Sequence, residues 1–135
     1  MSGRPLDDVV ADSSFRFAGT YRWASVRAVR NCERHLLIAR DEKETTVVTQ
    51  HLDDVDVIDV NPDAWLLVSI DCANPFYCAG FISRISAPLS AAGIDILVIS
   101  TFSRDWLFVK QDEAARAAAV LVDAGFRSGG GTPVS

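Results

Sequence analysis

Few residues in this chain have the types and spacing that would support chemistry. Cys32 and His35 have a spacing typical of metal ligands, but no second pair at comparable spacing completes a zinc site. Cys72 and Cys78 are too far apart in sequence for a zinc pair. His51 is followed by two aspartates in what reads as a solvated loop. We therefore predict no metal site and no cofactor.

Nucleophilic catalysis has equally little support. The sequence contains no Gly-x-Ser-x-Gly elbow and no glycine-rich phosphate loop. Ser103, Arg104 and Asp105 are three reactive residue types in a row, but consecutive side chains near a hairpin tip alternate in direction and do not converge by themselves. We predict that the protein is not an enzyme.

Composition and charge exclude further classes of function. The chain has 135 residues, of which 49% are hydrophobic, so it is long enough to bury a core. Its net charge is −5 and its basic residues do not cluster, which argues against nucleic acid as a partner. The N-terminus has no signal-like apolar region and no apolar run reaches the roughly 18 residues of a membrane span. We expect a cytoplasmic protein without membrane contact, whose three cysteines are reduced.

The elements that must position any site are clearest in the C-terminal half. Apolar runs and turn signals predict a strand, a helix ended by Gly93, and a hairpin whose tip is Thr101 to Arg104. The predicted ranges are 64–70 for the first strand, 76–92 for the helix, and 94–100 and 105–110 for the hairpin strands.

A second helix follows the hairpin. Asp112 is predicted to cap it and Gly125 to end it. Its predicted buried stripe consists of Ala115, Ala118, Ala119 and Val122. The order strand, helix, strand, strand, helix is typical of an α+β, ferredoxin-like βαββαβ unit that lacks its last strand.

The missing strand has one candidate donor in the sequence. The segment after Phe126 is too glycine-rich to close the sheet, so residues 128–135 are predicted to be a flexible tail. Phe15 and Phe17 alternate in a strand-like segment near the N-terminus. We expect that segment to cross over and supply the strand.

The N-terminal half reads as a reduced copy of the same unit. A strand-like stretch (21–29) precedes a hairpin, 35–39 and 45–49, and a strand with alternating aspartates follows it, but no amphipathic helix is evident. The predicted organisation is a flexible N-terminus (1–13), a reduced N-terminal unit (14–62), a C-terminal unit (63–127) and the tail.

Two loops of the C-terminal unit could form a binding site. The loop from Asp71 to Phe76 leads into a helix N-terminus, which favours a carboxylate. At the hairpin tip, Thr101 offers a hydroxyl, Phe102 an apolar wall and Asp105 an anion for an ammonium group. Together these groups describe an amino acid site. The open alternative is that Phe102 packs against the other half of the protein and Asp105 only ends the turn.

Residues 81–126 resemble the ACT-domain family, and in particular small tandem-ACT proteins related to CASTOR-type arginine sensors and the regulatory domains of aspartate kinase. The most specific pieces are "PLSAAGI", Pro88 to Ile94, and "ISTFSRD", Ile99 to Asp105. The resemblance implies two tandem ferredoxin-like ACT units, the first reduced, which bind small ligands, commonly amino acids, where units pair.

The resemblance also implies particular ligand-binding residues. Thr101, Phe102 and Asp105 match a Thr-Phe-x-x-Asp segment that contributes to the arginine pocket of the sensors. The whole expected ligand-binding set is Asn74, Pro75, Phe76, Gly80, Ser100, Thr101, Phe102 and Asp105.

The function that follows from this resemblance is a non-catalytic, amino acid binding regulatory protein. Because the first unit lacks the helix and loop that would complete a pocket, a homodimer is expected, with a regulated protein as a further partner. The alternatives are a protein-interaction module without a ligand and a small ferredoxin-like enzyme with Asp105 or Asp71 as general base.

Overall fold

The computed structural model describes residues 4–129 of the chain. The helices are α1 (Leu6–Asp12), α2 (Phe81–Ala91) and α3 (Ala114–Asp123). The strands are β1 (Ser14–Val29), β2 (Leu37–Arg40), β3 (Thr45–Thr49), β4 (Val55–Val60), β5 (Trp65–Asp71), β6 (Ile96–Ser100), β7 (Asp105–Lys110) and β8 (Arg127–Ser128). The predicted tail beyond residue 129 and residues 1–3 lie outside the described residues.

The chain forms two compact units. One unit combines the residues up to Gly19 with those from Leu66 onward, and the other is Thr20–Trp65. Strand β1 begins in the first unit and continues into the second.

The larger unit has the ferredoxin-like α+β architecture that the sequence predicts. Its strands lie in the order β1-β5-β7-β6, and α2 contacts α3. Since β1 is hydrogen-bonded to β5, the prediction that the Phe15 and Phe17 segment supplies the missing strand is confirmed. Strand β8 adds a short parallel pairing to β1, with Ser14 opposite Arg127.

The core of the larger unit follows from strand and helix periodicity. Leu66, Val68 and Ile70 alternate along β5 and are buried with Ile85 and Leu89 of α2. Each such side chain contributes about 1.5–3 kcal/mol when it leaves water.

Helix α2 begins five residues later than the sequence predicts, at Phe81 instead of Phe76. Phe76 has a φ of 70° and Gly80 a φ of 88°, so neither residue adopts the right-handed helical conformation. The predicted end is confirmed, because Gly93 has a φ of 74° and the Ile94 N–H donates to the Leu89 carbonyl.

The predicted buried stripe of α3 is wrong. The buried residues are Ala114, Ala117 and Leu121, whereas Val122 is 52% exposed. The predicted cap is also wrong, because Asp112 lies in a 3-10 turn before the helix, where no side chain caps the first turn. Alanine occurs on every face of α3, so its positions do not distinguish the buried side.

Helix α1 lies within the segment that the sequence predicts to be a flexible N-terminus. Its Val9 and Val10 are buried in the core of the larger unit. Two adjacent valines in one short helix carry no 3.6-residue period, which is why the sequence does not reveal this helix.

The smaller unit is a sheet without an α-helix in residues 20–65, all of which the structure describes. Strand β1 lies between β3 and β4, and β2 pairs with β3 in the predicted hairpin. Its small core contains Ala24, Val26, Val47 and Val55.

Candidate functional site

A cleft of about 200 Å³ lies in the larger unit between the loop after β5 and the tip of the β6–β7 hairpin. The residues that line it are Cys72, Asn74, Pro75, Phe76, Cys78, Phe81, Ile82, Ser100, Thr101, Phe102, Ser103, Arg104 and Asp105. Both loops belong to the same compact unit.

The hairpin tip is a closed and well-bonded turn. The Thr101 N–H donates to the Arg104 carbonyl at 2.8 Å, and the Thr101 hydroxyl donates to the same oxygen at 3.1 Å. The Arg104 N–H in turn donates to Thr101 Oγ1 at 3.2 Å. Thr101 therefore holds the turn, which fixes the positions of the residues on either side of it.

Asp105 is the carboxylate of the cleft. The hydroxyl of Ser100, its partner across the hairpin, donates to Asp105 Oδ1 at 2.7 Å. This bond orients the carboxylate, and its second oxygen forms no hydrogen bond within the described part of the chain.

The Cys72 thiol is buried at the end of the cleft near Asp105. Burial raises the pKa of this thiol, and the nearby Cys78 and Asp105 raise it further, although hydrogen bonds from Asn74 and Ser13 act in the opposite direction. Cys72 is therefore a neutral, apolar surface of the cleft rather than a nucleophile.

Three exposed aromatic side chains flank the cleft. Phe102 is 82% exposed, and its ring lies edge-on to that of Phe76 with a centroid distance of 5.3 Å. The rings of Phe76 and Tyr77 are 6.3 Å apart. Phe102 therefore contacts Phe76 within the same unit, and the two rings form an aromatic wall beside the cleft. The backbone of Phe76 has a positive φ, which is uncommon for a residue other than glycine.

The N-terminal segment anchors the loop after β5. The Ser13 hydroxyl is fully buried, donates to the Val9 carbonyl at 2.6 Å and accepts from the Ala73 N–H at 2.9 Å. At the other end of the loop, Gly80 lies against Leu6, where an added Cβ would approach the Leu6 side chain to 3.1 Å. Helix α1 and Ser13 thus contact the loop at both ends.

Seven of the eight residues expected to bind ligand line this one cleft. The eighth, Gly80, is the N-cap of α2 and does not line it. The sequence analysis did not select Cys72, Cys78 or Arg104, which also line the cleft. The place of Arg104 in the hairpin tip was the only sequence signal that it could line the cleft. The expected alternation of side chains along the tip argued against a shared site for Arg104 and Asp105.

No group of three or more potential metal ligands occurs among residues 4–129. None of the helices described is long and apolar enough to cross a membrane.

Residues 60–123 match the family model of the ACT domain. This segment is an ACT domain. It contains strand β5, helix α2, the β6–β7 hairpin and the whole of α3, together with every residue that lines the cleft. No curated protein matches the chain.

Solved structures resemble the ACT domain and the rest of the chain together. A protein from Agobacterium tumefaciens is 25% identical, with a TM-score of 0.69 over 86% of this chain and 91% of its own. A protein of unknown function from Vibrio cholerae, described as a possible transport protein, is 17% identical with a TM-score of 0.73, over 89% of this chain and 95% of its own. The regulatory subunit of aspartate kinase from Thermus thermophilus is 11% identical with a TM-score of 0.61, over 85% and 97%. The last two similarities describe the fold.

Proposed function

We propose that the protein is a non-catalytic regulatory protein that binds a small ligand, an amino acid, in the cleft of its ACT domain. The observation that carries this proposal is the convergence of the loop after β5 and the hairpin tip on one cleft with an oriented carboxylate and an aromatic wall. The expected ligand-binding residues remain Asn74, Pro75, Phe76, Gly80, Ser100, Thr101, Phe102 and Asp105.

The polar groups of the cleft suit an ammonium group. Ser100 orients Asp105 but leaves one carboxylate oxygen without a partner in the described residues. A hydrogen bond to a charged group is worth about 1.5–3 kcal/mol, so Asp105 supplies a large share of the affinity for a small cation.

The size and apolar surface of the cleft suit a small metabolite. A volume of about 200 Å³ is smaller than the roughly 300–1,000 Å³ of sites for drug-sized ligands. Phe76 and Phe102 offer the ligand side chain an apolar contact, or a cation–π contact where that side chain is basic.

Regulation requires that the ligand favour one of two states. We propose a reduced ACT-like unit at 14–62, a C-terminal ACT unit at 63–127 that takes its missing strand from the Phe15 segment, and a cytoplasmic homodimer whose arrangement changes when ligand binds. The ligand shifts this equilibrium by its difference in affinity between the two states, and a regulated protein partner reads the result. The similarity to a regulatory subunit of aspartate kinase supports this proposal.

A thermal-shift screen of the whole chain against the standard L-amino acids tests the proposal. A ligand at about 100 times its Kd stabilises the protein by about 2.7 kcal/mol, which raises the Tm by roughly 10 °C. Asp105→Asn should weaken binding of that ligand by about 10- to 100-fold in a calorimetric titration.

The matched control is Asp112→Asn, which removes the same charge from an exposed residue of the same unit that does not line the cleft. It should bind like the wild type. A screen without any shift, or equal binding by the Asp105 variant and the control, would contradict the proposal.

A second candidate function is a protein-interaction module without a ligand. The exposed rings of Phe76, Tyr77 and Phe102 favour it, since aromatic residues often carry the affinity of protein interfaces. Loss of partner-protein binding in Phe102→Ala, in a chain whose wild type binds none of the amino acids, would support this candidate.

A further inference from the structure

Arg104 is a cationic residue at the cleft, and its side chain forms no hydrogen bond or ion pair with the described residues. Arg104 lines the cleft and is exposed. The hydrogen bonds that tie it to Thr101 use only its main-chain N–H and carbonyl. Its guanidinium group forms no hydrogen bond or ion pair with any residue in 4–129, so removal of that group leaves the turn intact.

The neighbouring Asp105 does not neutralise this cation. The carboxylate of Asp105 accepts from the Ser100 hydroxyl across the hairpin. An arginine and an aspartate that are adjacent in sequence and line the same cleft are thus both available to a ligand. A molecule with one positive and one negative group satisfies both, whereas a simple amine or a simple acid meets one attraction and one repulsion.

The N-terminus of α2 offers a ligand carboxylate fewer hydrogen-bond donors than the sequence analysis expected. Helix α2 begins only at Phe81, and its cap, Gly80, packs against Leu6 instead of lining the cleft. The Phe81 N–H already donates a hydrogen bond to the Cys78 carbonyl. A further donor would strengthen the binding of a carboxylate in the cleft. A guanidinium group is well suited to this task because it binds carboxylates with two parallel hydrogen bonds.

We propose that Arg104 binds the carboxylate of the ligand while Asp105 binds its ammonium group, so that the cleft selects a free, zwitterionic amino acid over amines, carboxylic acids and amino acid amides. This inference rests on the proposed function and assigns the two ends of the ligand to two named residues. It makes Arg104 a specificity-determining residue.

The test compares each standard L-amino acid that binds with its own carboxamide, which keeps the ammonium group but lacks the negative charge. Calorimetric titrations use the full-length wild type, Arg104→Gln, Arg104→Lys and Arg16→Gln. Arg16 is the matched control, because it is exposed on β1 of the same unit and does not line the cleft. The Tm of each variant without ligand verifies its folding.

The wild type and the Arg16 variant should bind the acid about 10-fold more tightly than the amide. Arg104→Gln should bind the acid about 10-fold more weakly than the wild type does, and should bind the amide at least as tightly as the wild type does. Arg104→Lys should recover part of the preference for the acid.

Two results overturn the inference alone: equal binding of acid and amide by the wild type, or an unchanged preference in Arg104→Gln. Failure of every amino acid to bind the wild type overturns the proposed function as well.

Discussion

Replacement of Ser13 by alanine removes the link between the N-terminal segment and the loop that forms one side of the cleft. The Ser13 hydroxyl is 0% exposed, donates to the Val9 carbonyl and accepts from the Ala73 N–H. Alanine keeps the backbone, including the bond that the Arg127 N–H donates to the Ser13 carbonyl. The variant therefore removes the two hydrogen bonds that the Ser13 hydroxyl forms with Val9 and Ala73, together with its interaction with the Cys72 thiol.

The expected loss follows from those two bonds. A net hydrogen bond contributes about 0.5–1.5 kcal/mol, and a buried group left without a partner costs about 1–3 kcal/mol. Because the Ala73 N–H loses its acceptor at a partly buried position, the free energy of unfolding should fall by about 2–3 kcal/mol. For a chain of this size, that corresponds to a fall in Tm of roughly 10 °C.

Urea unfolding followed by circular dichroism measures the change, and amide hydrogen exchange locates it. Exchange at Ala73 should accelerate about 10-fold or more, while the β6–β7 hairpin remains protected. Ser83→Ala is the control, since Ser83 is exposed on α2 and its loss should change stability by less than about 0.5 kcal/mol. A Ser13 variant as stable as this control would refute the anchoring role.

Two further predictions concern the core and the alkaline limit of stability. In urea unfolding, Leu121→Ala should lower the free energy of unfolding by about 2–5 kcal/mol and Val122→Ala by less than about 0.5 kcal/mol, because Leu121 is buried and Val122 is 52% exposed. The reverse order would favour the buried stripe predicted from the sequence. Burial raises the pKa of Cys72 above its ordinary 9.0, so the thiol loses its proton at a lower pH in the unfolded state than in the folded state. The stability that the neutral thiol provides is therefore lost as pH rises through the folded-state pKa. Cys72→Ala should therefore flatten the decline of the unfolding free energy between the ordinary thiol pKa of 9.0 and the raised folded-state pKa, and an unchanged slope in that range would contradict the assignment.

Elements with a strong period or a clear stop signal could be predicted from the sequence. The hairpin of β6 and β7 has alternating apolar runs on both sides of a polar tip, and Gly93 and Gly125 end their helices at positive φ. The segment with Phe15 and Phe17 could also be predicted to supply a strand, because the βαββαβ unit lacked one.

Features that depend on tertiary context could not be predicted. The positive φ of Phe76 delays the start of α2, and a phenylalanine gives no sign of that conformation. The buried face of α3 is hidden among alanines, and α1 has only two adjacent valines to indicate its burial. These errors share one cause, since the packing partner rather than the local sequence decides each feature.

The sequence analysis identified the two loops that line the candidate site, but it did not identify all of the charged residues there. Thr101 and Phe102 were expected to offer a ligand a hydroxyl and an apolar wall. In the structure the Thr101 hydroxyl is hydrogen-bonded within the turn, and the Phe76 ring contacts Phe102. The availability of Arg104 depends on which acceptors surround its side chain, and one sequence cannot show this.

Nuclear magnetic resonance titration of the labelled protein with the standard L-amino acids tests the central claim most directly. The account predicts that one amino acid shifts amide signals in two stretches, 72–78 and 100–105, because these loops line the cleft. Saturable shifts confined to these loops in the wild type, and weakened in Asp105→Asn, are the expected result. An absence of shifts with every amino acid would contradict it. So would shifts confined to a second, shallow groove, which is lined by Phe15, Ala118 and Val122.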